Sequence, residues 1–265
     1  MNKDDAGVNG FLGLNKASGM TSMDVVRVVK RLTGMRKRVG HGGTLDPLAQ
    51  GVLPICLGQA TRLMEYLINK SKEYSMKIRL GVETDTYDAE GTIVEERDAS
   101  GITKEDIETA IRPFQGTFLQ KPPMHSALKK DGQRLYNLAR KGVELELEPR
   151  EVEVYTLEVE SFEDCFVTIR VECGRGMYMR SLAHDLGQAL GCGAHASTLI
   201  REKAGPFVLE ESVTLEQLKE ASEGGRWQQL LKPIDLPLLH LKSILVGPGA
   251  EKYLRNGQPV SLGHR

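Results

Sequence analysis

The stretch Tyr74-Ser75-Met76-Lys77-Ile78-Arg79-Leu80 alternates between two faces at every step. Successive side chains of a strand point to opposite sides, so Tyr74, Met76, Ile78 and Leu80 share one face while Ser75, Lys77 and Arg79 share the other. Phe166–Cys173 repeats the alternation far downstream. Strands with one dry and one wet face belong in a sheet covered on one side, which favours antiparallel pairing over the doubly covered parallel sheet.

Helices interrupt these strands. Thr21-x-x-Asp24 has capping-box spacing; Val25, Val28, Val29 and Leu32 follow at helical intervals, and Gly34 ends the run. Thr103-x-x-Asp106, with Ile102 and Ile107 as a hydrophobic staple, opens a second helix whose apolar face is Ile107, Ala110, Ile111 and Phe114. Thr214-x-x-Gln217, stapled by Val213 and Leu218, opens another. Met179, Leu182, Leu186 and Leu190 mark a helix after the break at Gly174-Arg175-Gly176. Residues 11–14 and 53–58 read as short buried segments, 60–68 as a helix, and 81–91 as a turn-rich link to a strand over 92–96. The segment 121–150 is basic and turn-rich at its start, holds a short helical stretch near 135–138, and reads as an excursion from the core. Nothing repeats at fixed spacing. The fold class is α+β, with a mixed, mostly antiparallel central sheet flanked by helices.

Composition bears on the surroundings. No apolar run approaches the roughly 20 residues of a membrane helix. The start, Met1-Asn2-Lys3-Asp4-Asp5, is acidic where a signal peptide is basic, so the expected location is cytoplasmic, with no membrane partner. Cys56, Cys165, Cys173 and Cys192 form no CxxC pair and read as reduced thiols rather than metal ligands. The net charge, 35 − 36 = −1, argues against a chain coated in positive charge. Local clusters such as Arg36-Lys37-Arg38, Lys129-Lys130 and Arg140-Lys141 still leave room for a basic face.

The stretch Gly40-His41-Gly42-Gly43-Thr44-Leu45-Asp46-Pro47-Leu48-Ala49-Gln50-Gly51 carries one carboxylate among four glycines. It lacks the Lys and Ser/Thr of a phosphate-cradling loop and is not GxGxxG. His41 and Asp46 have no partners at metal-ligand spacing. Asp-Pro is a common turn former, so spacing alone leaves a structural turn and a presented carboxylate both open.

The residues 40–63, GHGGTLDPLAQGVLPICLGQATRL, closely resemble the signature of the bacterial TruB family of transfer-RNA pseudouridine synthases. Residues 72–91, 122–142, 174–187 and 190–202 resemble further stretches of that family in the same order, and the likeness runs from about Phe11 to about Leu236. The resemblance implies the pseudouridine synthase fold and an isomerase that converts uridine-55 of the tRNA T loop to pseudouridine, with no metal and no organic cofactor. Asp46 matches the family's essential aspartate, Arg180 the arginine that pairs with it, and Tyr74 the tyrosine that stacks on the target base. Tyr178 and Leu199 match residues lining the base pocket. Asp88, in TDTYDAEG, is open to two readings, joining Asp46 and Arg180 in a charge network or capping its own turn. His41 matches the histidine beside the catalytic loop. The buried reacting carbon implies base flipping, and the glycines around Asp46 are expected to let the backbone approach the flipped nucleotide.

The excursion 121–150 resembles the family's thumb, with Lys129, Arg134 and Arg140 as phosphate contacts. This insert favours the stand-alone bacterial type over guide-RNA-dependent relatives, and the presence of Asp46, Tyr74 and Arg180 favours an enzyme over a pure RNA-binding protein. Three departures stand out: Asn15-Lys16-Ala17 where the family has Asp-Lys-Pro, His125 where it has tyrosine, and a tail that resembles only the beginning of a PUA domain. The expected organisation is a catalytic domain over 1–240, with the thumb-like insertion at about 121–150, and an incomplete PUA-like segment over 241–265. The expected partner is the tRNA T stem-loop, bound by a monomer.

Overall fold

The computed structural model describes residues 7–126, 128–130, 133–135, 143, 145 and 147–260. Along the chain run β1 (Gly10–Lys16), α1 (Ser22–Thr33), β2 (Val39–His41), β3 (Gln50–Leu57), α2 (Met64–Ile68), β4 (Lys72–Leu80), β5 (Val82–Thr84) and β6 (Ile93–Glu96). Then follow α3 (Lys104–Ile111), β7 (Gly116–Gln120), β8 (Lys129–Lys130), β9 (Gln133–Arg134), β10 (Arg150–Glu163) and β11 (Phe166–Cys173). The last elements are α4 (Met179–Ala189), β12 (Ala194–Ala204), β13 (Phe207–Val208), α5 (Leu215–Glu223) and α6 (Pro248–Arg255).

The main sheet has the order β1-β3-β12-β4-β11-β10-β7, with β2 added to β3 and β13 to β12. Every pairing is antiparallel except β3 with β12. The two alternating segments lie side by side: Met76 faces Ile169 and Ile78 faces Val167. A slip of one residue would turn both apolar sets toward water, so burial of that face fixes the register. The main core joins these residues to Leu14, Val29, Ile55, Leu182 and Leu186. A second cluster around Phe11, Val52, Cys56, Leu67 and Phe207 covers the other face of β1 and β3. Burial on both sides is why 52–57 reads as an unbroken apolar run.

Capping boxes at Thr21, Thr103 and Thr214 open α1, α3 and α5, each with the side chain and backbone bonds reciprocated. Gly34 closes α1 in the left-handed conformation. Elsewhere the chain departs from the expectation. The helix over 60–68 begins as a 3₁₀ turn, Gly58–Leu63, before α2. The link over 81–91 opens with a strand of its own, β5, and the strand expected over 92–96 is present as β6, paired with β5 in a separate two-stranded sheet. β7, β10 and β12, which the pattern did not announce, complete the main sheet. In the excursion, β8 and β9 form a short hairpin and Leu135 is buried; the helical stretch expected at 136–138 lies outside the described residues. Among the described residues no helix is long and apolar enough to cross a membrane.

Candidate active site

Asp46 sits on the loop between β2 and β3, and that loop is held from beneath. Leu45 is buried in the core, and its backbone N–H donates to the Ser22 hydroxyl while Ser22 Oγ–H donates back to its carbonyl (2.8 and 2.9 Å). Lys16 is fully buried and donates from Nζ to the carbonyls of Ala17, Met20 and Pro47 (2.9, 2.8 and 3.1 Å). Burial lowers its pKa to about 8, against an opposing pull from the Asp46 charge. Arg201, 1% exposed, donates Nε to Val52, Nη1 to Thr44 and Nη2 to Gly43, all at backbone carbonyls (2.7, 3.2 and 3.1 Å). Two buried cations thus fasten the chain on both sides of the aspartate, by the carbonyls of Gly43 and Thr44 before it and of Pro47 after it, and these carbonyls supply hydrogen bonds that a charge needs away from water.

The expected approach of a nucleotide to the glycines needs correction at Gly51. This residue has φ +99°, and a Cβ there would lie 2.2 Å from the Arg201 carbonyl. The close neighbour is the β12 backbone at the parallel β3–β12 pairing, so the glycine is required by the sheet itself.

Arg180 enters the site in the first turn of α4 and is 4% exposed. Its Nε donates to Asp46 Oδ2 at 2.9 Å, its Nη1 to the Thr86 carbonyl at 2.8 Å, and its Nη2 to the His125 carbonyl at 2.7 Å. Asp88 Oδ2 stands 3.3 Å from Nη1. The other Asp88 oxygen, Oδ1, accepts from the Thr86 hydroxyl and the Glu90 N–H (2.6 and 3.1 Å), so Asp88 both braces its turn and faces the guanidinium. The Asp46 side chain is 33% exposed while Arg180 and Asp88 are sealed beneath it. A fixed planar fork therefore presents one carboxylate to the outside.

Tyr74 is buried at the start of β4, opposite Arg201 in the β12 pairing. Burial raises its phenol pKa, opposed by the Arg201 guanidinium beside it, and the Asp46 charge also acts on it. Tyr178 caps α4 immediately before Met179 and Arg180, and its backbone exchanges two hydrogen bonds with the buried Gln120 side chain (2.8 and 3.0 Å). Its phenol pKa is raised by burial, and both Asp46 and Arg180 lie close enough to influence it. Leu199, on β12, is buried opposite Met76 in the same core as Tyr74 and Leu45.

Asp46 and Asp88 thus meet on Arg180, Tyr74 and Tyr178 lie within reach of the Asp46 charge, and Leu199 lies in the core that also holds Tyr74. His41, half-buried, occupies the short strand β2 opposite Ile55. Lys129 belongs to β8, its side chain lying outside what is described, and Arg140 lies outside the described residues altogether. Sequence reasoning missed Lys16, Arg201 and Gln120 as supports. For Lys16 and Arg201 the one signal is a charged side chain among the apolar residues of a strand; Gln120 ends a largely exposed strand and gave none. Among the described residues no group of three or more His, Cys, Asp or Glu could hold a metal ion.

Two family models match adjoining parts of the chain. TruB family pseudouridylate synthase (N terminal domain) covers residues 30–179, and tRNA pseudouridylate synthase B C-terminal domain covers 180–239. The chain is 45% identical over 255 residues to tRNA pseudouridine synthase B of Dehalococcoides mccartyi strain CBDB1, spanning 96% of this chain and 85% of that protein. It is 45% identical over 256 residues to the protein of the same name in Pseudomonas aeruginosa strain UCBPP-PA14, with 96% and 84% covered. Among solved structures it is similar to a chain of a Cbf5-Nop10-Gar1 complex, with TM-score 0.69, 32% identity, and 88% of this chain against 62% of that one. It is also similar to a chain of an H/ACA RNP bound to a substrate RNA containing 2′-deoxyuridine, with TM-score 0.66, 30% identity, and 88% against 61% covered. This chain therefore spans under two thirds of the length of those structural relatives. The matched domains, the level of identity and the shared fold together place the chain in the TruB family of pseudouridylate synthases.

Proposed function

We propose that the chain isomerises uridine-55 in the T loop of tRNA to pseudouridine. The observation that carries this reading is the partly exposed Asp46 carboxylate seated on the buried Arg180 guanidinium. Relatives named tRNA pseudouridine synthase B support tRNA as the substrate. The base flips out of the loop and enters beside Tyr74, Tyr178 and Leu199. The N1–C1′ bond breaks, the uracil turns, C5 bonds to C1′, C5 gives up its proton and N1 takes one. Atoms and electrons balance within the nucleotide, so the conversion needs neither oxidant nor reductant. Asp46 has two routes: attack as a nucleophile at C1′ or C6, or assistance to elimination of the base through a glycal-like intermediate. Arg180 holds the carboxylate for either one, and Asp88 holds Arg180.

The same reading assigns 1–240 to the catalytic domain and about 121–150 to a thumb over the RNA, with Lys129 and Arg140 on phosphates and His41 beside the opened loop. Residues 241–265 belong to a PUA-like segment, and the protein works as a monomer in the cytoplasm. The test is incubation of the purified protein with an unmodified tRNA transcript, followed by mapping of pseudouridine. Product at position 55 is expected. Binding without product would leave an RNA-binding protein on this scaffold, and product elsewhere in the transcript would overturn the assigned position.

A further inference from the structure

Tyr87 lies between the two residues that hold Arg180 from one side, Thr86 through its carbonyl and Asp88 through its carboxylate. It has φ +62°, in the left-handed region that side-chain-bearing residues seldom occupy. Its backbone is used at both ends: the N–H donates to Thr84 O at 3.2 Å, and its carbonyl accepts from Ala196 N–H at 3.0 Å. Its ring stacks on His184 with centroids 4.0 Å apart and planes 14° from parallel.

His184 is four residues after Arg180 on α4, so both side chains project from one face of the helix. Among the described residues its buried Nδ1 has no hydrogen-bond partner. The nearest carboxylate oxygen, Glu83 Oε2, is 3.9 Å away. The other Glu83 oxygen accepts from Arg97 and Gln188 (2.5 and 2.7 Å). Burial lowers the His184 pKa, the Glu83 charge opposing, which keeps a neutral ring against the tyrosine. What orients this imidazole is therefore the aromatic face of Tyr87 rather than a directional bond.

Two ties thus join the 84–91 turn to α4, one polar through Arg180 and one aromatic through His184. We propose that the Tyr87–His184 stack is a positioning clamp: it holds a strained turn in the one conformation that aims the Thr86 carbonyl and Asp88 at Arg180, and so fixes the Arg180–Asp46 pair. This rests on the assignment of Asp46 and Arg180 to the isomerisation. Neither clamp residue need touch the RNA.

Tyr87→Gly separates strain from stacking, because glycine adopts positive φ freely while offering no ring. Tyr87→Phe keeps the ring and drops the hydroxyl. The measurement is single-turnover pseudouridine formation at saturating tRNA transcript, beside a binding isotherm and a melting curve for each protein. Tyr87→Gly and His184→Ala are each expected to slow turnover by about tenfold through misplacement of the catalytic pair. Affinity is expected to stay within about twofold, and Tyr87→Phe to stay near wild type. The double variant is expected to be no slower than either single one, because both remove the same contact. Turnover near wild type in folded Tyr87→Gly, or losses that multiply in the double variant, would overturn the clamp. An inactive wild-type protein would instead overturn the assignment of the reaction, so the two failures are distinct.

Discussion

Arg180 commits all three guanidinium nitrogens to oxygens of three separate segments, and one of those oxygens belongs to Asp46. Asp46→Asn preserves shape but removes the charge and most of the nucleophilicity. It is expected to abolish pseudouridine formation while tRNA affinity stays within about tenfold, or about 1.4 kcal/mol. Substantial turnover by that variant, with reversion to aspartate excluded by mass spectrometry, would return the loop to a structural turn. Lys16 gives a pH test. Below pH 8 its ammonium has a donor for each of three carbonyls; above it the neutral amine has one fewer. The folded chain releases this proton near pH 8, whereas an unfolded lysine keeps it to about 10.4. Between those values the unfolded state binds the extra proton, so this group's contribution to stability rises with pH. Turnover is expected to fall above pH 8 with no loss of melting temperature due to Lys16. Lys16→Arg, charged throughout, is expected to lack that alkaline limb; the same limb in the variant would assign it to another group. The Asp46–Arg180 pairing spans 134 positions and was legible only because both residues sit in stretches that resemble one family. The carbonyls of Thr86, His125, Gly43 and Thr44 left no trace, since a peptide oxygen is the same whatever the residue.

At the level of elements, α4 and β12 are where packing overrules propensity. A Cβ on Gly187 would lie 2.2 Å from the Ala194 nitrogen and 2.4 Å from the Gly193 carbonyl carbon. Alanine in a helix interior ordinarily gains about 1 kcal/mol over glycine. Here the obstacle is backbone, so the helix must move off the strand that carries Leu199 and Arg201. Gly187→Ala is expected to destabilise by about 2 kcal/mol despite its propensity, read as a melting temperature lower by about 5 °C. An unchanged or higher melting temperature would show that α4 is free to shift. The same pair explains which strands were legible. β4 and β11 bury apolar residues on one face and declare themselves by alternation. β12 buries His195 and Arg201 among its apolar residues, and register shifts between Ala196 and Thr198 and between Arg201 and Lys203 break its period of two. β10 is irregular for the same reason, with shifts after Val154 and Val159. A strand central to the sheet was thus concealed by the polar residue that fastens the loop of Asp46.

Across the whole molecule, burial is concentrated between β1 and α5, and the chain beyond it is differently made. Leu241, Ile244, Tyr253 and Leu254 are about half exposed, and Leu245 is fully so. α6 carries Glu251 and Arg255 as an exposed pair one turn apart, which adds little in water. Apolar side chains left in solvent contribute no burial energy, whatever their number. Removal of residues 244–265 is therefore expected to leave the melting temperature within about 2 °C of the full chain. It is also expected to leave single-turnover rate at saturating tRNA unchanged, because Asp46, Arg180 and the residues that hold them all precede it. If this tail meets RNA, the deletion shows only as a higher tRNA concentration at half-saturation. A large fall in melting temperature would mean that the tail packs on the body of the protein. A slower chemical step with the fold intact would mean that it reaches the Asp46–Arg180 pair, and either result would redraw the boundary proposed near residue 240.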